Sequence, residues 1–264
     1  YNGAAQLHRV AATNGHVSGE EEVIKGDFIY TFVSGATSAV NRGEYSVKAT
    51  LKESSDYKFA VGEEYEHKFT INPRSITART WNANAFTYNG KKQRPRVLTL
   101  EGCVNGEAQK VIDEEIVYTD GNAGKGKYTV RATLSSPETS NYALDSAQEY
   151  VINPLKAELT WTLEDEDLVY AGKSKKVTVT VTNLQTDEEG NKDVCTVNTH
   201  TQGDNKNAGT FGIIAKTLSS DNYILPSDNP TQTFEITKKT LFVSTKDHTM
   251  TYGSAMTENN YEVN

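Results

Sequence analysis

Tyr45-Ser46-Val47-Lys48-Ala49-Thr50-Leu51 sets tyrosine, valine, alanine and leucine on alternate positions, with serine, lysine and threonine between them. A period of two over seven residues makes a strand with one dry face and one wet face. The stretch returns as Tyr128-Thr129-Val130-Arg131-Ala132-Thr133-Leu134, and more loosely as Phe211 to Leu218. From 45 to 128 and from 128 to 211 is the same 83 residues. Other landmarks keep nearly that interval. Tyr1-Asn2-Gly3 is answered by Tyr88-Asn89-Gly90, Tyr170-Ala171-Gly172 and Tyr252-Gly253. Asp56-Tyr57 is answered by Asn141-Tyr142 and Asn222-Tyr223. Phe69-Thr70-Ile71-Asn72-Pro73 is answered by Tyr150-Val151-Ile152-Asn153-Pro154 and Phe234-Glu235-Ile236-Thr237. Ordered landmarks at one period define a tandem array in which each copy is one supersecondary unit.

The alignment fixes boundaries: a first module over 1–74, a second over 75–155, a third over 156–239, and the start of a fourth over 240–264. Copies two and three open with a strand, Ser75 to Trp81 or Lys156 to Trp161, in which the two tryptophans hold equivalent packing places. The first copy has no such strand before Tyr1, and the fourth has little beyond it, so both ends read as cut from a longer array. The joints Asn72-Pro73-Arg74 and Asn153-Pro154-Leu155 are short, and proline, which donates no ladder hydrogen bond, suits a strand exit. Short joints predict a semi-rigid rod. The unpaired opening strand of the tail is expected to pack on the third copy or on another chain.

In the third copy Phe211, Ile213 and Ala215 keep step, but the leucine arrives at 218 instead of 217. One extra residue turns that leucine outward unless the strand bulges, which predicts a bulge near Lys216-Thr217. Only Gly106 to Ile112 looks like a helix, of one or two turns. Gly121-Asn122-Ala123-Gly124-Lys125-Gly126 reads as a hairpin turn, because no helix follows it as a phosphate loop requires.

Composition agrees with strands. The 264 residues hold 32 Thr and 14 Tyr against 14 Leu, a bias toward side chains that fit a pleated, half-buried surface. The net charge of −8, with no basic block, argues against nucleic acid as a partner. Nothing apolar is long enough to insert into a membrane.

Tyr88-Asn89-Gly90-Lys91-Lys92-Gln93, Gly102-Cys103-Val104-Asn105-Gly106-Glu107, Asn122-Ala123-Gly124, Lys127 to Leu134, Asn141-Tyr142 and Tyr150-Val151-Ile152, in that order, resemble the MBG/YDG-type repeats of bacterial cell-surface proteins. Gly15-His16-Val17-Ser18-Gly19-Glu20 is the middle element of copy one, and copy three departs there with Asn183-Leu184-Gln185-Thr186-Asp187. Thr240 to Val263 is similar to the opening of the variant with Tyr-Gly for Tyr-Asn-Gly. The resemblance implies mostly-β modules, β-grasp-like or immunoglobulin-like, strung along secreted or wall-attached adhesin-type proteins. It implies no catalytic residues.

The residues themselves offer little chemistry. His8, His16, His67, His200 and His248 sit at no ligand spacing, and no Gly-x-Ser-x-Gly elbow exists. No catalytic, cofactor-binding or metal site is assigned, and no cofactor. Cys103 and Cys195 lie in different copies at different offsets, which speaks against a disulfide. So little cysteine in an exported protein fits the surface of a Gram-positive bacterium. The acidic runs Glu164-Asp165-Glu166-Asp167 and Asp187-Glu188-Glu189 lack the glycine-containing pattern of a calcium loop and read as solvated. Alternation turns Asn72 and Asn153 outward, away from any lysine–asparagine crosslink in the core. The expected role is a non-catalytic spacer outside the cell or on the wall, touching other repeats of its own chain. Two alternatives stand beside it: that the repeats bind host glycans or glycoproteins, and that they accompany a large secreted enzyme.

Overall fold

The computed structural model describes all residues except 11–14, 61–64, 165–167, 204, 229, 246–250, 254–260 and 264. The chain is mostly β, 46% strand and 6% helix, as the threonine- and tyrosine-rich alternation requires. Two compact units divide it, Tyr1–Phe86 with Lys92–Ile152, and Thr87–Lys91 with Asn153–Asn264.

In the first unit, Gly43–Leu51 lies between Phe28–Phe32 and Tyr65–Ile71, antiparallel to both. Gly126–Leu134 lies likewise between Ile116–Tyr118 and the long strand Tyr142–Asn153. The strand Arg74–Trp81 runs parallel to the start of Tyr142–Asn153 and antiparallel to Val97–Glu101, and Ala85–Thr87, also paired with Tyr142–Asn153, completes a sheet of six strands. A short helix spans Glu21–Asp27, and Ala108–Lys110 continues into a π-turn at Val111–Glu115. The second helix falls where one or two turns were expected; the first was not anticipated.

The second unit sets Gly209–Leu218 between Val197–Gln202 and Thr231–Ile236, again antiparallel. The opening strand of copy three is broken rather than continuous. Leu155–Lys156 pairs with Tyr223–Ile224, and Leu159–Leu163 then pairs with Val177–Val181. Among the described residues of the tail, Val243–Thr245 pairs antiparallel with Tyr261–Val263.

The three central strands are built alike. Tyr45 faces Phe69, Tyr128 faces Tyr150 and Phe211 faces Phe234 across their ladders. The ring centroids of these pairs lie 5.5, 5.7 and 5.8 Å apart. Behind them Val47 and Ala49, Val130 and Ala132, and Ile213 and Ala215 are buried, together with Ile71, Ile152 and Ile236 on the closing strands. Each buried valine or isoleucine contributes about 1.5–3 kcal/mol relative to exposure. In the third ladder Asn198 faces Thr217 while Thr199 faces Ala215, so Lys216 is the extra residue of a bulge. Leu218 is returned to the half-buried face as expected. Trp81 packs on the core of the first unit, edge-on to Tyr118 at 6.4 Å.

Candidate functional site

The recurring Tyr-x-Gly elements are held by the main chain. Tyr1 donates its nitrogen to the carbonyl of Asn72 at 2.6 Å, Tyr88 to Asn153 at 2.8 Å and Tyr170 to Thr237 at 2.9 Å. Each acceptor lies at the exit of a closing strand, so each element is moored beside a strand end. Asn2 and Asn89 then accept from the nitrogens of Ala4 and Lys91, both at 3.0 Å, in the Asx turn that asparagine favours. This throws Gly3 and Gly90 into the left-handed region, φ +75° and +78°, and Gly172 adopts +67°.

Two of the three tyrosines end in one kind of constellation. Tyr1 donates its hydroxyl to Glu107 Oε1 at 2.8 Å, and Tyr142 donates to Oε2 at 2.5 Å. The Tyr142 oxygen accepts in turn from the Val104 N–H at 3.0 Å, and the two rings meet edge to face, centroids 5.5 Å apart at 86°. In the other unit Tyr88 and Tyr223 donate to Asp193 Oδ2 at 2.7 and 2.6 Å. Tyr223 accepts from the Gln185 N–H at 2.8 Å, and the rings again meet edge to face, 5.6 Å apart at 75°. The glycines make the close approach possible. A Cβ at Gly3 would lie 2.8 Å from Val104 Cγ1, and one at Gly90 would lie 2.6 Å from the Thr186 carbonyl oxygen.

Electrostatics keep these phenols protonated. Burial first, then the hydrogen bond to Glu107, raises Tyr142 well above the ordinary phenol range. Burial and Asp193 do the same to Tyr223, and push Tyr88 up to about 12. Tyr1 is raised by burial and by Glu107. Side-chain hydrogen bonds from Asn141 to Tyr1 and from Asn222 to Tyr88 act in the opposite direction. The asparagine of each Asn-Tyr pair therefore serves the incoming tyrosine, and its tyrosine serves the carboxylate. Two donors on a charged acceptor form strong hydrogen bonds. They tie together segments far apart in the sequence.

The first copy carries half of this arrangement. Tyr57 donates to Glu20 Oε2 at 2.5 Å and accepts from the Val17 N–H at 3.1 Å. Glu20 directly precedes the helix Glu21–Asp27, as Glu107 directly precedes Ala108–Lys110. The hydrogen bond to Glu20 raises the Tyr57 phenol.

Other sequence candidates fall elsewhere. Cys103 and Cys195 are free thiols, the first raised by burial. His8 stacks on His67 at 3.8 Å, and His16 meets Glu21 at 3.2 Å. Asp187 binds Asn191 within a hairpin turn, which lowers its carboxyl below the usual range, and Asp165, Glu166 and Asp167 lie outside the described residues. Asn72 and Asn153 point outward, as alternation requires. Tyr128 donates to the Gly124 carbonyl, closing the turn expected over Gly121–Gly126. Among the described residues no helix is long and apolar enough to cross a membrane.

Sequence reasoning missed the carboxylates. Glu20 and Glu107 each stand three residues after a valine, in elements already aligned, so a signal was present. Asp193 had none, because a different loop delivers it. No protein-family model matches the chain, and no curated protein matches it.

Proposed function

We propose that this chain is the non-catalytic stalk region of a bacterial surface or secreted protein: an elongated tandem array of small β-modules over 1–74, 75–155 and 156–239, with a fourth beginning at 240. One observation carries this reading. The tyrosine–carboxylate–tyrosine constellation is built twice, each time joining the Tyr-x-Gly element of one repeat to the Asn-Tyr segment of the next. Such a joint limits bending between repeats and spaces whatever is attached to them. The place that follows is extracellular or wall-attached, in a Gram-positive organism. Small-angle scattering tests the array. A compact globule of this length has a radius of gyration of about 18 Å, and the array requires a clearly larger value. A result near the compact figure sinks the reading.

A shallow concavity of about 550 Å³, lined by Asn84, Lys127, Tyr128, Gln148, Glu149 and Tyr150, supports a second reading. An aromatic pair ringed by polar groups suits a sugar, so the repeats would bind host glycans. A glycan array separates the two: saturable binding that Tyr128→Ala abolishes supports adhesion, and its absence leaves the spacer.

A further inference from the structure

We propose that the strand Phe28–Phe32 is a pairing edge for its own counterpart in a second copy of this chain, joining two chains side by side through one continuous sheet. Phe28-Ile29-Tyr30-Thr31-Phe32-Val33 holds no charge, no proline and no glycine, the composition through which extended backbones pair most readily. The strand ends its sheet: Gly43–Leu51 lies on one side and, among the described residues, no strand lies on the other. The Val33 N–H donates to the Ser46 carbonyl and the Lys52 N–H to that of Asp27. The odd-numbered residues therefore bond inward, and Phe28, Tyr30 and Phe32 turn their main chain to the open side. Gly35 already donates to the Phe32 carbonyl. The N–H groups of Tyr30 and Phe32 and the carbonyls of Phe28 and Tyr30 are left facing outward.

Neighbouring repeats do not cover this edge. Its counterparts Ile116–Tyr118 and Val197–Gln202 also end their sheets, the first of them in a copy with a neighbour on either side. Those two edges are blunted and this one is not. Ile116–Tyr118 is three residues long, is bounded by Glu114, Glu115 and Asp120, and has Arg94 over the Tyr118 ring. Val197–Gln202 carries asparagine, histidine and glutamine. Phe28–Phe32 is five residues long, with Ile29 45% and the adjoining Val33 56% exposed.

Symmetry selects the occupant. About a two-fold axis through Tyr30, perpendicular to the sheet, each Tyr30 N–H meets the other Tyr30 carbonyl. Each Phe32 N–H meets the Phe28 carbonyl of the second copy, so the groups left open satisfy one another. Tyr30 then lies opposite Tyr30 and Phe28 opposite Phe32, aromatic pairs that stabilise antiparallel ladders. Ile29 lies opposite Thr31 on the other face. The nearest charge, Asp27, falls opposite Val33, a strand's length from its own counterpart. An unstructured peptide would pay to be ordered here, whereas this strand is already held extended by Gly43–Leu51. The contact is isologous and closes at two chains.

Sedimentation equilibrium of the full chain provides the test. The expected mass rises with concentration and levels off at the dimer, and added salt favours it by screening the −8 charge of each chain. Ile29→Lys combined with Thr31→Lys, both at exposed positions, sets lysines opposite one another and abolishes association. Ile29→Glu with Thr31→Glu does the same. Mixed, the two variants form a one-to-one heterodimer, which requires both to be folded. Val117→Lys, on the counterpart edge, leaves association intact. Hydrogen exchange reads the contact without a variant: the Tyr30 and Phe32 amides slow as concentration rises, while those of Ile116–Tyr118 do not. A wild-type chain monomeric at every concentration overturns the inference. So does association that survives the lysine pair, grows past the dimer, or leaves the Tyr30 and Phe32 amides unprotected. The stalk reading is judged separately, by scattering at a concentration where the chain is monomeric.

Discussion

Glu107 and Asp193 perform one task from unlike backbones. Glu107 precedes a short helix, whereas Asp193 closes a hairpin in which its nitrogen bonds the Gln185 carbonyl at 2.9 Å. Each accepts hydroxyls from two tyrosines that meet edge to face. The acceptor is kept although the loop is not, because two phenols packed against each other, at least one of them buried, need one strong acceptor between them.

That need sets the cost of removing it. Glu107→Gln and Asp193→Asn each exchange an acceptor-only group for one that also donates, leaving a buried phenol facing an N–H. We expect a loss of about 1–3 kcal/mol for each, read from urea unfolding of the full chain. A shift of a few tenths would show that the tyrosines are held by ring packing alone.

Glycines of the Tyr-x-Gly elements separate clash from strain. Gly90→Ala meets a backbone oxygen, while Gly172→Ala meets nothing closer than 3.9 Å. Both pay for a left-handed φ, of order 1 kcal/mol, but only Gly90→Ala must also displace Thr186. Thermal unfolding should therefore place Gly90→Ala clearly below Gly172→Ala; equal midpoints contradict the close approach.

Alkaline pH should loosen the joint. The folded phenol of Tyr88 is raised from 10 to about 12, so the folded state favours the protonated form. The stability this confers is complete below the unfolded value of about 10 and is lost as pH rises through about 12. Tyr142 and Tyr223 shift the same way. Tyrosinate absorbance should rise together with unfolding in this window, and Tyr88→Phe should flatten the dependence. Ionisation of all fourteen tyrosines near 10 in a chain still folded counts against it.

Deleting Lys216 should be nearly harmless. It removes the bulge, keeps Thr217 opposite Asn198 and leaves Ala215 and Leu218 on the inward face, as in the two regular strands. The expected change is within about 0.5 kcal/mol. Deleting Ile214 instead reverses the faces of the residues on one side of the cut, and the folded fraction should collapse. Circular dichroism of the two deletions decides the point.

Sequence alone settled the strands, their faces and the bulge. Alternation is a local property, and Tyr45, Tyr128 and Phe211 each announce the ladder that they join. The closing strands and proline exits were legible for the same reason. The broken opening strand of copy three was not, since pairing partners are chosen by competition among distant segments. Nor was the joint. Tyr1 and Glu107 are remote in the chain and share no motif, and Asp193 occupies a loop whose sequence matches neither other copy. Periodicity reports which way a side chain points; only the folded chain decides which carboxylate stands in front of it.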